Sequence, residues 1–199
     1  MARPKEFDRD LALQKAMMVF WEKGYAATSA ADLVQAMGIG RQSLYDTFGD
    51  KHQLYLEALA LYSEASVAEL VQSMRAARPL EAIEAMLMAF AARPEEQNAL
   101  GCMGINSICE LGLQDEAVNA VRERSGAPLR ASLIALLEQA KAASDADPAL
   151  DATAGADFIL ATLAGMKVIA KGGADAQALR SVGALAVQAL GRGTPQASR

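Results

Sequence analysis

Thr28–Lys51 reads TSAADLVQAMGIGRQSLYDTFGDK, and the reading of these residues decides the fold. Ser29 suits an N-cap, because its hydroxyl can accept from the backbone N–H of Asp32, three residues on. Ala30 to Met37 then suits a short helix with Leu33, Ala36 and Met37 on its apolar side. Gly38 ends it, since glycine enters the left-handed conformation of a helix C-terminus at little cost. After Ile39 and Gly40 a second short helix runs from Arg41 to Phe48. Leu44 and Phe48 share one face of it, and Arg41, Gln42 and Tyr45 point elsewhere. Two short helices joined by a tight glycine-containing turn make a helix-turn-helix, the motif whose second helix enters the major groove of DNA.

The flanks extend this pattern. Phe7–Lys23 predicts a helix, with Leu11, Ala12, Ala16, Val19 and Phe20 at helical spacing and Gly24 closing it. Trp21 and Tyr25 are expected to fix it against the next helix. Asp50 begins a long helix to about Ala76, more than a three-helix module needs for itself. Pro79 and Pro94 then bracket a helix Leu80–Ala92, and Pro94–Asn98 reads as a loop. Gly101 precedes a helix from Cys102 to Leu111, and Asp115 caps another that runs to about Ala143. Pro128, after Ser125-Gly126-Ala127, should kink or split that helix, because proline removes one backbone bond and crowds the preceding turn. Ser144–Pro148 is a polar turn. Two helices follow, Asp151–Ala170 and Asp175–Leu190, and Gly191–Arg199 reads as a disordered tail.

Composition bounds the class. The chain has 199 residues, 52% of them hydrophobic, with Ala, Leu and Met in excess and few β-branched runs, which predicts an all-α protein. The charged N-terminus MARPKEFDRD has no apolar segment of the kind a secretory signal needs. No apolar run is read as a membrane span: Phe158–Ala170 is interrupted by Thr162, Gly165 and Lys167 and suits a buried or interface helix. Cys102 and Cys109 do not make a disulfide framework, so the chain reads as cytoplasmic. The formal net charge is −5, yet up to Lys51 seven basic residues balance seven acidic ones. DNA affinity would then depend on a few placed cations, hydroxyls and helix N-termini, with a shallow salt dependence. The one histidine, His52, stands in a polar stretch. No nucleophile elbow, phosphate loop or metal-ligand cluster appears, so neither an enzyme nor a cofactor or metal site is expected.

T-S-x-x-D-L-x-x-A-M-G-I followed by S-L-Y-x-x-F-G-D-K resembles the DNA-binding domain of the tetracycline-repressor (TetR/AcrR) family of bacterial regulators, over about Arg3 to Leu61. The resemblance implies about nine helices, with a DNA-binding domain at residues 1–51 and a ligand-binding and dimerisation domain at 52–199. It also implies a homodimer through the two C-terminal helices, a palindromic double-stranded DNA operator as partner, and release by a small-molecule effector. Repression is the family's common mode; an activator of the same fold and a helical adaptor that binds no DNA are the alternatives.

On this reading Gln42 can pair with adenine, and Arg41 with a phosphate or a guanine. Ser43, Tyr45 and Thr47, together with Thr28 and Ser29, can donate to phosphates. Lys51 matches the family's phosphate-contacting lysine, and Arg3 lies on an N-terminal arm that either follows the DNA or is disordered. Asp46 departs from the family pattern: a carboxylate there reads a cytosine amino group or faces away. Met86, Phe90, Met103, Leu137, Phe158 and Met166 are candidate pocket residues for an apolar or weakly polar effector, or else core residues. The G-C-x-x-x-N segment at Gly101-Cys102 resembles a branch of the family that senses electrophiles through a cysteine. Cys102 at a helix N-terminus is therefore either a reactive thiol or a small packing residue, and Cys109 is expected to be buried.

Overall fold

The computed structural model describes residues 7–112 and 114–191, and the structural statements below concern those residues. Arg3 and the tail beyond Gly191 lie outside them. Among the described residues the chain forms ten α-helices and no strand. These are α1 (Arg9–Lys23), α2 (Ala30–Met37), α3 (Arg41–Phe48), α4 (Lys51–Ser73), α5 (Pro79–Ala91), α6 (Glu95–Leu100), α7 (Met103–Leu111), α8 (Glu116–Ala142), α9 (Ala152–Lys171) and α10 (Ala176–Leu190). The all-α class stands, and α6 adds a short helix where a loop was expected after Pro94. Pro94 begins that helix as its N-cap, a place where a missing N–H costs nothing.

By packing, the chain divides into two compact units. Among the described residues, the first comprises residues 7–65 together with Cys102–Ser125; the second comprises Ser66–Gly101 and residues 126–191. In the first unit, Ala16 and Phe20 of α1, Leu33 and Met37 of α2, Leu44 and Phe48 of α3 and Leu54, Tyr55, Ala58 and Leu59 of α4 close one core. The i, i+4 pairs of the short helices thus turn inward, each large side chain contributing about 1.5–3 kcal/mol on full burial. Trp21 and Tyr25 pack chiefly on α4, with ring centroids 4.9 Å from Tyr62 and 4.8 Å from Tyr55 respectively. Met103 and Val118 join the same core from α7 and α8.

The second unit is built from α5, α9, α10 and the later turns of α8, around Ile83, Met86, Leu87, Phe90, Leu133, Leu137, Ile159, Leu163, Met166 and Leu179. Gly183 lets α10 approach α5 closely, since a Cβ there would lie 2.9 Å from Met88 Cε and 3.1 Å from Leu87 Cβ. One helix, α9, is long and apolar enough by length and composition to cross a membrane, contrary to the reading of its sequence. Ile159, Leu163 and Met166 of that helix are buried in the core of this unit, while Phe158, Val168 and Ile169 are exposed.

Pro128 does not split its helix: α8 runs unbroken from Glu116 to Ala142. The proline forfeits one backbone bond, but Val118 and Val121 before it and Leu129, Leu133 and Leu137 after it are each buried in the core of their own unit. Tertiary burial on both sides outweighs the local loss.

Candidate nucleic-acid interface

The helix-turn-helix is fixed by local bonds before any ligand is considered. Ser29 caps α2: its Oγ accepts from Asp32 N–H at 3.1 Å, and Asp32 Oδ2 accepts from Ser29 N–H at 2.8 Å, a reciprocal capping box. Asp32 also pairs with Lys23, and the hydrogen bonds from Lys23 and Ser29 hold its carboxyl well below the usual carboxylate range. Gly38 takes the left-handed conformation (φ 70°, ψ 29°) that ends α2, and Ile39 is buried beneath the turn. Gly40 precedes α3 and offers no side-chain cap, so the first N–H groups of that helix keep their capacity for an anion.

Leu44 and Phe48 root α3 in the core, so Arg41, Gln42, Tyr45 and Asp46 stand exposed on its outer side. The Arg41 guanidinium lies 5.8 Å from the Tyr45 ring centroid, and Gln42 Nε2 donates to Asp46 Oδ1 at 2.8 Å. Ser43 is half-buried. Lys51, at the start of α4, holds its ammonium 4.5 Å over the Tyr25 ring. Burial and the neighbouring Asp50 and Asp115 carboxylates push the Tyr25 phenol up, so it stays neutral.

Two hydroxyls do not join this exposed set. Thr28 is only 2% exposed and its Oγ1 donates to the Gly24 carbonyl at 2.6 Å, closing the turn between α1 and α2. Thr47 Oγ1 is enclosed, because its helix position turns it toward the packed side of α3. Ser29 is exposed, yet its single donor is spent on Asp32 Oδ2 at 2.6 Å.

Three contacts between residues far apart in sequence hold the first unit together, and no periodicity announces them. Arg9 bonds Glu57 at 2.6 Å and stacks 4.8 Å from the Phe48 ring centroid, tying α1, α3 and α4 together. Glu110 on α7 accepts from Ala26 N–H at 3.0 Å in the α1–α2 turn. His52 bonds Asp115 Oδ2 at 2.6 Å, and since an ionised carboxylate only accepts, the ring proton sits on Nε2. Asp115 also caps α8 through Val118 N–H at 3.1 Å, as expected. Burial pushes the Asp115 carboxyl up, but the bonds from Val118 and His52 outweigh this and leave it below its ordinary value. We expect Asp115→Ala to cost about 1 kcal/mol as a lost cap, with more from the stranded His52. A folded value below the ordinary 3.8 means that this stability is fully present above that pH and fades as pH falls through the lower value. Melting curves of both proteins across the acid range check this: the gap should narrow only in acid.

The candidate effector residues separate. Met86, Phe90, Leu137 and Met166 lie together in the core of the second unit. Met103 belongs instead to the core of the first unit, where α7 buries it, and Phe158 is 44% exposed on α9. Neither is available to a pocket in the second core. Cys102 is half-buried at the N-cap of α7, whereas Cys109 is exposed rather than buried, because it falls on the outer side of that helix. Among the described residues no group of three or more His, Cys, Asp or Glu side chains could hold a metal.

A family described as bacterial regulatory proteins of the tetR family matches residues 12–58, which span α1, the helix-turn-helix and the start of α4. The HTH-type transcriptional repressor ComR of Escherichia coli is 33% identical over 184 residues, covering 90% of this chain and 87% of that protein. The chain belongs to the TetR family. YezE of Bacillus subtilis, an HTH-type transcriptional regulator, is 41% identical over 114 residues, covering 55% of this chain and 58% of its own. Among solved structures, a cysteine mutant of the TetR-family regulator CifR, complexed with 26-base-pair operator DNA, superposes with a TM-score of 0.80 at 30% identity. That match covers 95% of this chain and all of the other. A TetR-family regulator from Cytophaga hutchinsonii superposes equally well, TM-score 0.80, at 18% identity, which speaks for the fold. TetR-family members are transcriptional regulators rather than enzymes.

Proposed function

We propose that this TetR-family regulator is a homodimeric, cytoplasmic repressor that holds a palindromic operator until a small effector releases it. The observation that carries the reading is the outer side of α3. Arg41, Gln42 and Tyr45, a mixture of cation, carboxamide and phenol suited to phosphates and base edges, stand on a helix rooted by two buried side chains. Residues 1–51 form the DNA-reading part on this account and 52–199 the responding and dimerising part, with Lys51 and Ser43 contributing phosphate contacts. That ComR is a repressor and that CifR is complexed with operator DNA agree with it.

Dimerisation is supported by an open apolar face. On α9, Phe158, Ala161, Gly165 and Val168 are exposed at successive turns, and on α10 Ala178, Val182, Leu185 and Ala189 are too. The small residues permit close approach and the large ones supply area, while Ile159, Leu163, Ala186 and Val187 of the same helices serve the chain's own core. For release, Met86, Phe90, Leu137 and Met166 offer an adaptable apolar environment to a small ligand, and Cys102 offers an alternative as a thiol open to electrophiles. Either event acts only so far as it favours a conformation in which the two α3 helices no longer match the grooves.

Fluorescence anisotropy with the intergenic DNA beside the chain's own gene tests this. Arg41→Ala and Tyr45→Ala should each weaken binding about five- to 150-fold with unchanged helicity, since each removes about 1–3 kcal/mol of contact. Wild-type affinity in both variants would refute α3 as the reader. A quinone that releases wild type but not Cys102→Ser would assign the thiol route, and release of both alike would refute it.

A further inference from the structure

The pairing of Gln42 with Asp46 carries a consequence for which base is read, and it rests on α3 being the DNA-reading helix. A free glutamine carboxamide is ambiguous: rotation about its last torsion exchanges oxygen and nitrogen, and its NH₂ has two hydrogens to give. It can therefore face adenine with one acceptor and one donor, or turn both hydrogens toward the O6 and N7 acceptors of guanine. Asp46 lies one helical turn on, and its Oδ1 accepts from Gln42 Nε2 at 2.8 Å. Both side chains are exposed on the face of α3 that bears Arg41 and Tyr45.

The bond removes the ambiguity. With one N–H committed to Asp46, Gln42 is left with one N–H and Oε1, a donor beside an acceptor. That set complements adenine, whose major-groove edge offers the N7 acceptor and the N6 amino donor. Guanine would meet Oε1 with an acceptor of its own. A groove that excludes water strengthens the internal bond rather than dissolving it. On a helix seated in the groove, the exposed Asp46 carboxylate also adds a negative charge that opposes DNA of every sequence. Sequence preference obtained in this way includes a repulsive element as well as an attractive one.

We propose that Asp46 is a specificity-setting residue: by orienting the Gln42 carboxamide it makes α3 read adenine and reject guanine, at the expense of affinity for DNA in general. Selection from a random double-stranded DNA library with the full-length wild type, Asp46→Ala, Asp46→Asn and Gln42→Ala tests it, followed by anisotropy on duplexes with single-base changes. Wild type should enrich one A·T pair per half-site that Gln42→Ala no longer discriminates. Asp46→Ala should lower the adenine-over-guanine preference at that pair about tenfold and bind an unrelated duplex several-fold tighter. Asp46→Asn, which retains an acceptor oxygen without the charge, should keep most of the preference and share the gain in affinity. The combined variant Gln42→Ala with Asp46→Ala should match Gln42→Ala at that pair.

Unchanged preference in Asp46→Ala, or a guanine at the Gln42-dependent pair, overturns the proposal while leaving α3 as the reader. Loss of a C·G preference at a different pair in Asp46→Ala overturns it too, by making Asp46 a base contact in its own right. Enrichment of no sequence by the wild type overturns the DNA-reading assignment itself, and this inference with it.

Discussion

Leu185→Lys is expected to yield a folded monomer that no longer holds operator DNA. Leu185 is 66% exposed, the highest value for any large apolar side chain among the described residues. It sits in the open row Ala178, Val182, Leu185 and Ala189 of α10. A two-fold interface presents the same patch on both subunits, so one substitution places two ammonium groups in apolar contact. Their desolvation and mutual repulsion have no compensating partner within that row. Within the monomer nothing is lost, because the side chain points away from the core of its unit. The melting temperature extrapolated to dilute protein should hold while the mass halves. An operator bound through two half-sites loses the second as an intramolecular event, which weakens binding by about 100-fold or more. Sedimentation and anisotropy on the same preparation read both effects. A variant that stays dimeric would assign the α9–α10 face another role.

Gly24→Ala is expected to be the most damaging methyl group in the first unit. Gly24 has φ 81° and ψ 172°, a region that glycine occupies almost alone. Any Cβ there would lie 2.3 Å from Glu110 Oε1 and 2.9 Å from its Cδ. The backbone strain costs about 1–3 kcal/mol. The glutamate can swing aside, but it then gives up the Ala26 N–H; for this exposed group the loss falls toward the low end of the 1.5–3 kcal/mol of a charge-assisted bond. We expect about 2.5–4.5 kcal/mol in total, visible as a lower denaturation midpoint with unchanged slope. The loss should be felt in DNA binding as well, because the turn carries Tyr25, whose ring meets Lys51, His52 and Tyr55. Adding Glu110→Ala removes the collision, so the two substitutions together should cost less than their sum. Strict additivity would show that Glu110 does not occupy the space above Gly24.

The parts legible in the sequence were those governed by residues a turn or two apart. The Ser29–Asp32 box, the left-handed Gly38, the Leu44/Phe48 root of α3 and the Asp115 cap are all local, and local chemistry decides them. Gln42 and Asp46 stand four apart, so their bond too is within reach of local reasoning, although the family pattern marks Asp46 only as a departure. What failed depended on burial decided elsewhere in the chain. Pro128 predicts a broken helix until the cores on both sides of it are known. Thr47 and Tyr45 look alike as donors until the roll of α3 puts one hydroxyl inside and leaves the ring outside. Met103 and Met86 are indistinguishable in sequence, yet they serve different cores. Glu110 meets Ala26 across 84 residues, a separation at which periodicity carries no signal.

Hydroxyl-radical footprinting of the chain on its highest-affinity duplex tests the central claim most directly. The account predicts two protected patches on one side of the DNA, centred about 34–36 Å or a multiple of that distance apart. Each patch should disappear with Arg41→Ala, and the pair should disappear with Leu185→Lys. A single patch, or protection indifferent to Arg41, would contradict a two-fold regulator that reads DNA through α3.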